Sequence, residues 1–287
     1  MRVLSLFDWI ACGYEALVRA WIKVDEYFAS EIDKYAIQIA QKNHPDIIQL
    51  GDVKNIEGGG RLSNIDLLIW GSPCQWFSVA GKMLNFDDPR SKLFFEFVRI
   101  LKEVQPKYFL LENVKMKKEW QDIISQQLWV EPIEINSSLV SAQSRRRLYR
   151  TNIPNVTQPE DRWIMLNDIK QTKDSPLISY VNGELRIRQA TKQWYIVAEE
   201  WDGVDLSYPQ SKTRRWRVIK WKSNTLTTSG EAYICDKIIR RLTPIECERL
   251  QNLDDNYTEW ISTSQRYKVL GNGRTVNVVS HIFSFIK

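Results

Sequence analysis

The chain has 287 residues, 43% of them hydrophobic, enough for one large domain or for one domain carrying a smaller insertion. Its 40 lysines and arginines against 35 aspartates and glutamates leave a net charge of +5, a mild bias toward a polyanionic partner that is too small to identify one. The cysteines at 12, 74, 235 and 247 form no CxxC pair and have no close histidine, and no run approaches 18 apolar residues, so disulfide frameworks, metal sites, secretory leaders and membrane spans are not expected, and a reducing cytoplasmic setting is.

In chain order, Val3–Phe7, Tyr27–Ser30, Ile47–Leu50, Ile65–Trp70 and Tyr108–Leu111 are short β-rich runs, with helical patterns between them. The clearest helix spans 91–104. Leu93, Phe94, Phe97, Val98, Leu101 and Val104 recur there at helical spacing, while Arg99, Lys102 and Glu103 fall on the opposite face. This alternation predicts an α/β fold with a parallel sheet. From about Asn155 it gives way to short β-like runs, turns and charge, with six basic residues and no acidic one between Lys212 and Lys222, as in a smaller inserted domain. Helical patterning resumes at Leu242, with Pro244 placed for a first turn, and an apolar helix is expected from about Val276 to Ile286.

In parallel sheets ligands bind beyond the carboxyl ends of the strands, so the loops there carry the candidate chemistry. Phe7-Asp8-Trp9-Ile10-Ala11-Cys12-Gly13 follows the first strand and opens a helix, as a nucleotide-like cofactor requires, although it is not GxGxxG. Glu31 ends the second strand at the distance where a carboxylate meets ribose hydroxyls, and Asp52 follows the third. Singly, such residues are more often solvated turn formers; their order is what points to a site. Gly71-Ser72-Pro73-Cys74-Gln75 after the fourth strand and Glu112-Asn113-Val114 after the fifth add a nucleophile and a carboxylate to the same pocket. Cys74 alone would read as a buried structural thiol. Paired with Glu112 it reads as a nucleophile, because a carboxyl group bonded to cytosine N3 opens C6 to thiolate attack and makes C5 nucleophilic.

With these motifs in this order, nearly the whole chain resembles the DNA (cytosine-5)-methyltransferase family. The resemblance implies a Rossmann-like methyltransferase sheet with a smaller, mainly β target-recognition domain inserted. Catalytic domain is then expected over 1–154 and 237–287, and the recognition domain over 155–236. It implies S-adenosylmethionine as methyl donor, Cys74 as nucleophile to C6, and Glu112 on N3 and the exocyclic amine. Gln143-Ser144-Arg145-Arg146-Arg147 matches the Gln-x-Arg-x-Arg motif, which implies that Arg145 and Arg147 hold the flipped base and order the catalytic loop. Phe7, Asp8, Trp9, Ile10, Gly13, Pro73, Asn272 and Arg274 would line the cofactor pocket, with Glu31 on the ribose and Asp52 and Val53 on the adenine. Gln75, Ser78, Gln143, Arg215, Arg217, Thr225 and Thr227 would meet DNA, the last two within Thr225-Leu226-Thr227. Arg241-Leu242-Thr243-Pro244 through Gln251 matches the element that braces the recognition domain, and Gly271-Asn272-Gly273 with Val276 the motif that returns to the cofactor. Double-stranded DNA as substrate, a companion restriction endonuclease, a monomer and no metal are implied as well. Two other readings share these residues: a catalytically silent DNA-binding relative, and an RNA cytosine methyltransferase of the same fold.

The chain departs from the family pattern in one consistent direction. Trp9, Trp70 and Trp76 stand where the family carries glycine, and an indole there is expected to overpack its surroundings by roughly 1–3 kcal/mol per site. Ordinary usage of about 7% would give roughly 20 glycines, but there are 12, beside 12 tryptophans. Arg150 and Arg274 occupy positions where related sequences often have tryptophan. This pattern is expected of a gene read with the wrong code, from a source in which UGA specifies glycine and some CGN codons tryptophan; a decayed or repurposed gene is the competing explanation.

Overall fold

The computed structural model describes residues 1–71, 92–171, 185–188, 195–205, 217–228, 233–236 and 238–287. In chain order the elements are β1 (Arg2–Leu6), α1 (Cys12–Arg19), β2 (Glu26–Ser30), α2 (Lys34–Asn43), β3 (Ile48–Gln49), β4 (Leu67–Gly71), α3 (Lys92–Val104), β5 (Tyr108–Asn113), α4 (Lys118–Leu128), β6 (Ile133–Asn136) and β7 (Arg146–Thr151). They continue with α5 (Leu166–Ile169), β8 (Leu185–Arg188), β9 (Tyr195–Ala198), β10 (Gly203–Asp205), β11 (Arg217–Ile219), β12 (Tyr233–Asp236), β13 (Ile238–Arg241), α6 (Pro244–Leu250), α7 (Thr263–Asn272) and α8 (Val276–Phe283). Two compact units result: Met1–Asn136 with Arg146–Gln158 and Val276–Lys287, and Ser137–Arg145 with Pro159–Thr275.

The first unit is built on a seven-stranded sheet of order β3-β2-β1-β4-β5-β7-β6. The five strands expected from the sequence are all present and parallel, and β7 runs antiparallel to both of its neighbours. Their residues are apolar on both faces, as a sheet covered by helices on two sides requires. Leu4, Leu6, Phe28, Leu68, Trp70, Phe109 and Leu111 are buried in one cluster with Phe94, Phe97, Val98 and Val104 of α3. Arg99 lies on the other face of that helix and pairs with Glu96 and Glu103 at helical spacing. Helix α8, with Val276, Val278, Val279, Ile282 and Phe283 buried, packs on α1 of the same unit. It ends at Phe283, three residues short of the expected end.

The register decides where the loops emerge. Leu6 pairs with Ser30 on one side and Trp70 on the other, and Gly71 pairs with Glu112. The carboxyl ends of β1, β2, β4 and β5, at Leu6, Ser30, Gly71 and Asn113, therefore lie along one edge of the sheet, on either side of the point between β1 and β4 where strand order reverses.

The second unit holds a four-stranded antiparallel sheet, β11-β10-β12-β13, and a separate β8-β9 pair. Helix α6 begins where Pro244 suggests. Thr243 and Glu246 form a reciprocal capping box, in which the Thr243 hydroxyl accepts the Glu246 N–H at 3.2 Å and the Glu246 carboxylate accepts the Thr243 N–H at 2.8 Å. The same fully buried carboxylate takes two bonds from Arg240, at 2.8 and 2.7 Å. The pairing is bidentate, the geometry that favours burying two opposite charges together.

Candidate active site

Glu31 is the centre of the first cluster. Its Oε1 accepts the N–H groups of Ile32 and Asp33, each at 2.8 Å, and its Oε2 accepts the Trp9 N–H at 3.0 Å. Burial pushes the pKa of this carboxyl up, against the three N–H donors that pull it down, and the neighbouring Asp8 adds to the rise. A carboxylate has about four acceptor positions; three are used, and the one left, on Oε2, suits a hydroxyl donor such as a ribose. Asp8 is buried and accepts the Tyr27 hydroxyl at 2.6 Å, while the Phe7 N–H donates to Ser30 O at 2.9 Å. Ile10 and Gly13 are buried at the entry to α1. Asp52 caps a short turn through the Lys54 N–H at 3.0 Å, Val53 is buried behind it, and Gly51, at φ +77°, supplies the left-handed turn. Phe7, Asp8, Trp9, Ile10, Gly13, Glu31, Asp52 and Val53 thus gather beyond the carboxyl ends of β1, β2 and β3.

On the expectation that Glu31 meets the ribose of S-adenosylmethionine, its exchange for glutamine weakens that binding by roughly 10–100-fold, the loss of a charged hydrogen bond to the ligand; titration calorimetry measures it. Because the folded pKa of Glu31 is raised, its contribution to stability is present at acid pH and lost as pH rises through the folded value. Urea unfolding at a series of pH values should therefore show the parent protein losing stability relative to Glu31→Gln across that interval.

Glu112 forms the second cluster, at the end of β5. It faces Tyr149 of β7 in register, and the Arg147 Nε lies 3.6 Å from its Oε1, both side chains being buried. Behind them Arg150 is wholly enclosed. Its guanidinium donates to Gln121 O at 2.9 Å, to Ser125 Oγ at 3.3 Å and to Asn113 Oδ1 at 3.4 Å, and burial lowers its pKa to about 10. A cation thus tethers Asn113, the residue next to Glu112.

Trp70 occupies the core directly behind Phe7. Their ring centroids are 5.2 Å apart, the Phe97 ring is 4.8 Å away edge-on, and the buried indole N–H has no hydrogen-bond partner. The ring is accommodated in the core, and the cost visible here is its one unsatisfied polar atom rather than the overpacking expected of an indole.

Arg145 belongs to the second unit. Its guanidinium donates to Gly271 O at 3.3 Å and Gly273 O at 3.0 Å, holding the turn after α7. Gln143 is buried and occupied at both ends, donating to Leu250 O at 3.3 Å and accepting the Leu226 N–H at 3.1 Å. Thr225 Oγ1 donates to Ser144 O at 3.0 Å, whereas Thr227 and Arg217 are exposed. Gly271 is glycine for a reason of space, since a Cβ there would lie 2.5 Å from the Thr227 carbonyl carbon. Asn272 ends α7, and Arg274, two residues on, is buried. Ser141, Gln251 and Thr275 complete this network: Ser141 Oγ donates to Leu250 O at 2.6 Å, Gln251 Nε2 to Leu270 O at 2.7 Å, and Thr275 Oγ1 to Gln251 Oε1 at 3.1 Å. Ser141 and Thr275 carry no signal in the sequence beyond being small and polar.

Pro73, Cys74, Gln75, Trp76, Ser78 and Arg215 lie outside the described residues. Among the described residues no cluster of His, Cys, Asp and Glu is placed to hold a metal, and no helix is long and apolar enough to cross a membrane.

The profile of the C-5 cytosine-specific DNA methylase family matches residues 1–127 and 117–287. The chain is 31% identical over 286 residues to the Type II methyltransferase M1.ScrFI of Lactococcus lactis subsp. cremoris, covering 91% of this chain and 71% of that protein. It is 28% identical over 337 aligned positions to the Type II methyltransferase M.FnuDI of Fusobacterium nucleatum, covering 100% and 94%. Among solved structures, the Entamoeba histolytica methyltransferase EhMeth aligns over 100% of this chain and 99% of its own, with a TM-score of 0.70 at 18% identity, a likeness of fold.

Proposed function

The chain belongs to the C-5 cytosine-specific DNA methylase family, and from that premise we propose that it methylates C5 of a cytosine flipped out of double-stranded DNA, through a covalent bond between Cys74 and C6. The observation that carries the reading is Glu112, a buried carboxyl at the end of β5 with the Arg147 guanidinium 3.6 Å away. Cytosine presents N3 and O2 as acceptors and its amine as a donor. A carboxyl group that gives a proton to N3 and accepts from the amine, beside a cation for O2, matches that edge and withdraws electrons from C6.

The Cys74 thiolate then adds to C6, and the electrons of the C5–C6 double bond shift toward N3. C5 becomes an enamine carbon able to form a bond to a methyl group. Loss of the C5 proton and expulsion of the Cys74 sulfur restore the double bond and the free thiolate. S-adenosylmethionine, when bound, supplies that methyl as a sulfonium electrophile. Glu31 is suited to its ribose and Asp52 and Val53 to its adenine, with Phe7, Asp8, Trp9, Ile10, Gly13, Pro73, Asn272 and Arg274 as the remaining lining.

Residues 155–236 are the proposed target-recognition domain. Arg215 and Arg217 neutralise phosphates there, while Gln75, Ser78, Gln143, Thr225 and Thr227 meet or brace the DNA-facing segments. Extruding the base costs a few kcal/mol, which contacts in the pocket offset. A monomer acting in the cytoplasm, beside a companion restriction endonuclease, fits this reading.

The test follows label from the methyl group of S-adenosylmethionine into duplex DNA and transfer RNA, using the chain as it stands and with glycine at 9, 70 and 76. Label in the DNA alone is expected, with the glycine form the more active. Label in transfer RNA alone overturns the DNA reading, and two inert forms whose Cys74 still reacts with thiol reagents favour a silent DNA-binding relative.

A further inference from the structure

Of the 12 tryptophans, those at 76, 194 and 216 lie outside the described residues, which leaves nine. Six of the nine have left-handed backbone: Trp9 (φ 57°), Trp21 (59°), Trp129 (56°), Trp163 (54°), Trp201 (75°) and Trp221 (57°). A Cβ crowds the following carbonyl in that region, so bulky residues are rare there and glycine is the usual occupant. Asparagine is the other common one, and four of the seven remaining non-glycine residues of this kind are indeed asparagines.

Two of the six sit in helix-ending motifs built around glycine. After α1 the Trp21 N–H donates to Val18 O at 3.0 Å and the Ile22 N–H to Leu17 O at 3.0 Å. This is the pair of bonds that defines the Schellman ending, whose left-handed residue is normally glycine. Trp129 closes α4 with φ 56° and ψ 30°, the same conformation at the same kind of place. Burial does not compensate the strain, because Trp21 is 95% exposed, Trp129 91%, Trp163 71% and Trp221 54%. An apolar ring in water on a backbone that disfavours any side chain is wrong at two levels at once.

We infer that positions 9, 21, 129, 163, 201 and 221 are glycine in the protein as its source cell makes it, each encoded by a UGA triplet that the cell decodes as glycine. The inference goes beyond the catalytic reading and stands without it, since backbone angles at all six positions and exposure at four of them carry it, and five of the six lie outside the catalytic and cofactor motifs. Trp120 is the internal control. It lies within α4, half-buried against the core, where an indole has a packing role, and it remains tryptophan.

Two measurements test this. The coding sequence should read UGA at the six positions and UGG at 120, and peptides from the protein isolated from its own cells should carry glycine at the six and tryptophan at 120. Tryptophan at 21 and 129 in those peptides overturns the inference. In the recombinant chain, Trp21→Gly and Trp129→Gly should each lower the unfolding equilibrium constant by about fivefold, the steric relief exceeding glycine's added chain entropy. Each should raise Tm by roughly 2–4 °C, while Trp120→Gly lowers it. An unchanged or lower Tm for both exchanges overturns the inference as well.

Discussion

Exchanging Cys74 for serine is expected to reduce methyl transfer by roughly 10⁴–10⁶-fold, the scale on which loss of a catalytic nucleophile acts. A serine hydroxyl provides almost no anion at neutral pH, whereas a thiol with a reference pKa of about 8.5 provides a usable fraction of thiolate. Duplex DNA carrying 5-fluorocytosine should trap the parent protein, because C5 then has no proton to lose and the sulfur cannot leave. Mass analysis of the digested adduct is expected to place it on the peptide containing Cys74. An adduct on another cysteine would refute the assignment. Cys12 and Cys247 are buried thiols, and burial pushes the pKa of Cys247 well up, so both are poor competitors.

The second large effect concerns Glu112. Glu112→Gln keeps the shape of the side chain but cannot give a proton to N3, so the single-turnover rate is expected to fall by about 10²–10⁴-fold, the usual contribution of a placed general acid. Binding of S-adenosylmethionine should be unchanged, because Glu31 and not Glu112 is the proposed partner of the ribose. A variant that keeps its rate while losing cofactor affinity would move Glu112 into the cofactor pocket. Arg147→Ala should lower the same rate, and Arg147→Lys should recover part of it if charge alone is needed. If lysine recovers nothing, the planar guanidinium is required.

The parallel half of the sheet was legible because its strands are apolar on both faces and bounded by turn residues, from Val3 to Leu111. The helix at 92–104 was legible from Phe94, Phe97, Val98 and Val104 at helical spacing. Strand β7 was not legible. Arg146-Arg147-Leu148-Tyr149-Arg150-Thr151 was not expected as a strand, yet Arg147 and Arg150 are both buried, one against Glu112 and the other among the oxygens of Gln121, Ser125 and Asn113. Periodicity does not reveal a strand in which two of the four buried residues are cations. The Gln-x-Arg-x-Arg motif also reads as one functional group, although the chain passes from one compact unit to the other between Arg145 and Arg146. Arg145 and Gln143 hold backbone carbonyls in the second unit, a role visible only once Gly271, Gly273 and Leu250 are in place. Helix α7 was missed because Thr263–Asn272 mixes polar and apolar residues without a clear stripe. The tryptophans at 21, 129, 163, 201 and 221 gave no local sign of their backbone state; only the excess of indoles over glycines hinted at it.

Because α1, near residue 12, is covered by α8, near residue 280, the sheet's own helical layer closes only after more than 250 intervening residues have been threaded. Such long-range closure is slow relative to local folding. A ribosome moving along this message holds an exposed apolar stripe on α1 until α8 clears the exit tunnel. Chains released early, at any position ahead of Val276, should therefore be captured by chaperones or degraded rather than accumulate as stable fragments.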